Sequence, residues 1–165
     1  MSADYYDVVC AALGTAGFSH YEVSNFAKPG HESQHNLAYW HGADYVGVGP
    51  GAHGRMTVDG KRAATIAHLA PRAYSASVLE TGSGIDSQET LSQDDWAAEY
   101  LLMGLRIEAG ISLSKYRKIA GQDLNEIELR HLMEDGLLIR DGDRLMASTE
   151  GRLVLNRVTE NLLLA

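Results

Sequence analysis

Between Gly47 and Gly54 the chain reads Gly-Val-Gly-Pro-Gly-Ala-His-Gly, so five of eight residues are glycine or proline. No helix propagates through such a run, since each glycine costs about 1 kcal/mol relative to alanine and proline about 3. Proline also withholds a donor from any strand ladder. The run is therefore a loop, and its glycines let the backbone come close to a ligand. The segments before it set its context. Tyr6, Val9, Cys10 and Leu13 recur at helical spacing over residues 4–16, with Gly17 as the stop. Residues 18–26 alternate as one buried strand, with Tyr21 and Val23 on one face, ended by Lys28-Pro29-Gly30. A short helix is expected at 36–41 and a second strand at 44–49, directly before the glycine run. Helix, strand, helix, strand and glycine loop is the rhythm of βα repeats, the edge of a parallel sheet completed elsewhere.

After the glycine run, Asp59-Gly60 marks a hairpin, and Pro71 opens a helix to about residue 80. Residues 81–88 are polar and rich in glycine and serine, and are expected to be a linker. Beyond it the pattern is mostly helical. Ser92 with Asp95 opens one helix as a capping box. Ser112 caps a short helix that Gly121 ends, and Asp123 with Glu126 caps a third running to Gly136. Residues 137–140 and 144–148 flank Asp141-Gly142-Asp143 as a two-stranded wing, and a last helix spans 150–164. The expected architecture is α/β over 1–84 followed by a winged-helix-like domain over 85–165.

Charge decides between partners. The formal net charge is −8, and residues 86–165 hold 15 acidic against 9 basic side chains. The helix in the recognition position, residues 123–135, carries Glu126, Glu128, Glu134 and Asp135 against Arg130. Such a surface repels phosphates, so nucleic acid is not expected as a partner. No apolar run approaches the ~20 residues of a membrane span. The N-terminus lacks the charged and apolar regions of a secretory signal. One cysteine, Cys10, fits a reducing compartment, with cytoplasm the default. One thiolate also cannot hold an iron–sulfur cluster.

Three segments could carry chemistry. His31-Glu32-Ser33-Gln34-His35 matches H-E-x-x-H, which needs both histidines on one helical face. Pro29-Gly30 just upstream argues against a helix through His31, so a polar loop is the expected reading. The glycine run is not a G-x-G-x-x-G that opens into a helix, and Pro50 removes one of its donors, so it reads either as a nucleotide contact or as a tight turn. In His35-Asn36-Leu37-Ala38-Tyr39-Trp40, a histidine beside Tyr39 and Trp40 is either an iron or macrocycle contact or a hydrogen-bonded structural residue.

Taken together, Tyr21-Glu22-Val23-Ser24-Asn25-Phe26-Ala27-Lys28-Pro29-Gly30-His31-Glu32-Ser33, then H-N-x-x-Y-W at 35–40, then Gly47 to His53, resemble the radical-SAM proteins related to oxygen-independent coproporphyrinogen III oxidase. The H-N-x-x-Y-W run resembles the heme chaperone HemW branch of that family more than the oxidase. Gly104-Leu105-Arg106, Gly110-Ile111, Glu134-Asp135-Gly136-Leu137 and Thr149-Glu150-Gly151-Arg152-Leu153 are similar to the family's C-terminal domain. The resemblance implies a partial (β/α) barrel with a [4Fe–4S] cluster and S-adenosylmethionine in full-length members. Radical decarboxylation of porphyrinogen propionates belongs to the oxidase, and heme transfer to hemoproteins belongs to the chaperone.

On that resemblance His35 matches the heme-holding histidine, with Tyr39 and Trp40 beside it. Gly51, Ala52 and His53 match the wall near S-adenosylmethionine. The cysteine triplet and the earlier glycine-rich strand are not in this sequence, and Pro50 and Gly54 depart from the family around its Gly-Ala-His core. The chain is thus expected to be a C-terminal piece: the last barrel repeats and the C-terminal domain, without the N-terminal barrel half and inactive as a radical enzyme. Heme or porphyrin and recipient hemoproteins are the implied partners, and heme is the cofactor implied for this chain. In a different class, the piece is an interaction module whose barrel edge self-associates.

Overall fold

The computed structural model describes residues 3–164. In chain order the elements are α1 (Ala3–Thr15), β1 (Ser19–Glu22), β2 (Asn25–Ala27), α2 (Gln34–Trp40), β3 (His53–Val58), β4 (Lys61–Ala67), α3 (Pro71–Thr81) and β5 (Ile85–Thr90). There follow α4 (Gln93–Gly104), β6 (Ile111–Ser112), α5 (Leu113–Ala120), α6 (Glu126–Glu134), β7 (Leu138–Asp141), β8 (Arg144–Ala147), α7 (Thr149–Leu153) and α8 (Leu155–Leu164). They form two compact units, Met1–Gly42 with Ala97–Ala165, and Ala43–Trp96, so compactness does not divide the chain at 84/85. The fold is mixed α/β. Every pair of named strands is antiparallel, so the βα rhythm of the first half does not make a parallel sheet among the described residues.

In the larger unit, α1 half-buries Tyr6, Cys10 and Leu13 and leaves Val9 exposed. Gly17 ends it at φ 80°. The single strand expected at 18–26 is instead a tight hairpin of β1 and β2. The cause is local: the Glu22 carboxylate accepts from the Ser24 backbone N–H at 3.0 Å and from Asn25 Nδ2 at 2.7 Å, which folds the chain back.

The rest of this unit is the winged-helix-like assembly. The Ser112 hydroxyl accepts from the Lys115 N–H, and Gly121 closes α5 in the left-handed region at φ 74°. α6 is capped by Asn125 rather than Asp123, because Asn125 Oδ1 accepts from the N–H groups of Ile127 and Glu128. Asp123 is taken up by Arg117, at 2.6 and 2.7 Å. The wing β7–β8 forms as expected and gains β6 on its far side, in the order β6-β8-β7. Leu101, Leu105, Ile111, Leu129, Leu145 and Val158 are sealed from solvent between helices and wing. The closing helix is two pieces, α7 and α8, interrupted at Val154.

The smaller unit is a three-stranded meander, β3-β4-β5, with α3 in the β4–β5 connection. Asp59 and Gly60 make the predicted turn with φ 50° and 73°, the positive pair that a two-residue hairpin favours. The expected strand at 44–49 is reduced to one bridge, Tyr45 to Arg55, since Gly47 and Gly49 cost a strand backbone entropy and give it no side chains to pack. The expected linker at 81–88 holds most of β5, whose side chains are all exposed but whose backbone supplies partners to β4.

Gly151 is the tightest packing point of the closing helices: a Cβ there would run into the Leu137 carbonyl. Gly151→Ala is expected to destabilise the chain by about 1–3 kcal/mol through overpacking. Gly14→Ala, with open space around it, should stabilise by roughly 0.5 kcal/mol. Urea midpoints of the two variants should move in opposite directions.

Candidate functional site

Ser33 caps α2, its hydroxyl accepting from the Asn36 N–H at 3.3 Å. Because the helix begins at Gln34, His31 lies outside it, and the two histidines cannot share the helical face that a zinc hydrolase requires. No group of three or more possible metal ligands occurs among the described residues. His35 and Tyr39, four residues apart, share a face; their rings meet edge-on with centroids 4.7 Å apart at 89°. His35 is exposed. Neither of its ring nitrogens takes part in a hydrogen bond or ion pair among the described residues. An open imidazole braced by a tyrosine ring fits an axial ligand to an iron macrocycle.

Trp40 belongs to a different cluster. The Arg106 guanidinium lies 5.0 Å from its ring centroid. Arg106 Nε and Nη2 in turn donate to Glu22 Oε1 at 2.8 and 2.6 Å. Glu22 is fully buried, and its other oxygen takes the Ser24 N–H, the Ser24 hydroxyl and Asn25 Nδ2. Burial alone would raise this carboxyl, but the donors and the Arg106 charge outweigh it and hold the group below the usual carboxylate range. Backbone bonds Val23 N–H to Arg106 O and Glu108 N–H to Tyr21 O fasten the same two segments. The sequence reading missed this cluster, although an acid inside an apolar alternation and an arginine after Gly104-Leu105 were both visible.

Beside it, Arg152 Nη1 lies 3.1 Å from His20 Nδ1, and His20 Nε2 lies 3.2 Å from the Tyr6 hydroxyl. Tyr6 donates to the Val23 carbonyl, so its oxygen is left to accept from His20 Nε2–H, and Nδ1 accepts from Arg152. Burial is the main cause that pushes the Tyr6 hydroxyl above its ordinary value.

The glycine run lies in the other compact unit. Gly51 N–H donates to His68 O at 2.9 Å, Ala52 N–H to Gly49 O at 3.2 Å, and Ala52 O accepts from Ala67 N–H. The Gly49 N–H reaches the Tyr74 hydroxyl. These groups hold the turn rather than standing open to a ligand. A Cβ at Gly47 would strike the His53 carbonyl, and one at Gly54 would crowd Thr65 Oγ1 and the Tyr45 carbonyl. His53 opens β3 opposite Ile66, and its side chain is exposed. A [4Fe–4S] cluster does not fit this chain's own residues, since Cys10 is the single cysteine.

Residues 91–154 match the HemN C-terminal domain family. The chain is 39% identical over 173 residues to the bovine radical S-adenosyl methionine domain-containing protein 1, mitochondrial, covering 99% of this chain and 39% of the relative. It is 35% identical over 161 residues to the heme chaperone HemW of Mycobacterium tuberculosis, covering 98% of this chain and 39% of that protein. The chain belongs to this HemN- and HemW-related radical-SAM family. It spans about two-fifths of the length of these curated relatives, 39% in each case. The solved structure of coproporphyrinogen III oxidase (HemN) from Escherichia coli superposes with a TM-score of 0.66 over 96% of this chain and 40% of that one. At 18% identity, that likeness speaks for the fold alone.

In this HemW-related chain the Glu22 cluster makes a measurable prediction. Arg106→Ala leaves a buried carboxylate without its cation and should cost about 3–5 kcal/mol. Because the Glu22 carboxyl is depressed in the fold, its contribution is present above the unfolded pKa of about 4.3 and lost as pH falls through the lower folded value. Urea stability of the wild type should therefore drop below about pH 4.5, and Glu22→Gln should flatten that drop.

Proposed function

We propose that this chain is the heme-handling part of a HemW-like chaperone, holding heme through His35 and passing it to hemoproteins. The observation that carries the reading is the open imidazole of His35 on the exposed face of α2, braced by the Tyr39 ring. Relatives named heme chaperone HemW support it: the M. tuberculosis protein is 35% identical across 98% of the chain, and that of Lactococcus lactis 32% across 99%. In this reading Tyr39 supports the plane of the ligand, while Trp40 anchors the helix through Arg106. Gly51 to His53 stand near S-adenosylmethionine when the rest of a full-length protein supplies the cluster. The chain itself conducts no radical chemistry, because a single cysteine cannot hold that cluster. The same scarcity of cysteine fits a reducing compartment such as the cytoplasm.

Titrating heme into the purified 165-residue chain should shift the Soret band to that of a histidine-ligated iron, and His35→Ala should remove the shift. Identical spectra for both would take His35 out of the function. Reconstitution with iron and sulfide should produce no cluster absorption, and a stable [4Fe–4S] spectrum would overturn the inactivity of the isolated chain.

A further inference from the structure

Two hollows flank Arg106 in the larger unit and share Arg106, Leu155 and Asn156. One, of about 430 Å³, adds Arg152, Leu153, Val154 and Arg157; the other, of about 310 Å³, adds Trp40, Leu102 and Met103. Their sizes are those of sites that accept small organic ligands. One end is therefore apolar and aromatic, and the other is lined by three guanidinium groups.

The three arginines are not equivalent. Arg106 is neutralised by buried Glu22, and Arg157 pairs with Glu160 at 3.0 Å on the surface. Arg152 has no carboxylate partner among the described residues: its Nη1 donates to His20 Nδ1, and its Nε is buried without an acceptor. In the His20–Tyr6–Val23 chain the imidazole donates from Nε2 to the Tyr6 oxygen and offers Arg152 only the Nδ1 lone pair, so it supplies no counter-charge. A partly buried, unopposed guanidinium at the mouth of an apolar hollow is matched by a carboxylate, whose two oxygens fit the planar fork.

We propose that this cleft takes the carboxylate of a flat apolar acid, with Arg152 as the anion contact and Trp40, Met103 and Leu155 beside the apolar body. Naming that acid a tetrapyrrole, held here by a propionate edge, rests on the heme reading above; the carboxylate chemistry of the cleft does not.

The test uses iron-free mesoporphyrin IX and its dimethyl ester, with binding to the full chain followed by fluorescence. The wild type should bind the diacid at least about tenfold more tightly than the ester, the scale of a charge-assisted hydrogen bond. Arg152→Gln should erase that preference. Leu153→Glu, at a half-exposed lining position outside the His20 network, should weaken the diacid and spare the ester. Equal affinity for diacid and ester, no binding of the diacid, or diacid binding untouched by both cleft substitutions would overturn the cleft proposal. Loss of the His35-dependent heme spectrum with the Arg152 preference intact would instead overturn the iron-ligand reading alone.

Discussion

The buried carboxylate of Glu22 is the constraint on which the larger unit depends. A charge sealed from water costs several kcal/mol unless it is fully paired, and five donors converge on it from Ser24, Asn25 and Arg106. Satisfying that one side chain turns a strand into a hairpin, draws the segment after α4 alongside β1, and places Arg106 over the Trp40 ring. The last contact fixes α2 from its C-terminal turn. Lys115 Nζ adds to this by donating to the His41 carbonyl just beyond the helix. His35 and Tyr39 are left on the exposed side, and Arg106 becomes the ridge between two hollows.

The smaller unit repeats the device with other residues. Arg62, 4% exposed, donates to Asp44 Oδ1 at 2.9 Å and to the Ala43 carbonyl, and its guanidinium stands 5.7 Å from the Trp96 ring centroid. Asp44 also accepts from the Thr57 N–H and hydroxyl. Burial works against this carboxyl, but the Thr57 and Arg62 donors prevail and hold it below its ordinary range. In each unit an arginine shared between a carboxylate and an indole ties an irregular segment to regular structure. Such a pair orients more than it stabilises, because its Coulomb gain largely offsets desolvation. The glycines beside Asp44 then serve close backbone crossing, at Gly47 against His53 and at Gly54 against Thr65.

Much of the secondary structure was legible. The helix stop at Gly17, the Ser112 and Gly121 caps, the Asp59-Gly60 hairpin and the wing all follow from local rules, because one or two residues decide each of them. The misreadings share a cause. The hairpin at Glu22, the cap at Asn125 rather than Asp123, and strand β5 in place of a linker all depend on which distant group claims a polar side chain or a free strand edge. Asp123 could not cap once Arg117 had taken it. Ile85 and the polar residues 86–90 became a strand because β4 offered unpaired backbone groups.

At the candidate site the division is similar. By itself the sequence determined the family, the capped helix carrying His35 and Tyr39, and the lack of thiolates for a cluster, since these reside in residue identity and short spacing. Only the tertiary structure separated Trp40 from His35, showed N–H groups of the glycine run taken by His68, Tyr74 and Gly49, and left Arg152 without an acid among the described residues while Arg106 and Arg157 found theirs. Pairing of charges and donors across long sequence separations, Glu22 with Arg106 and His20 with Arg152, follows from burial and proximity, and no local pattern encodes which partner a buried charge will meet.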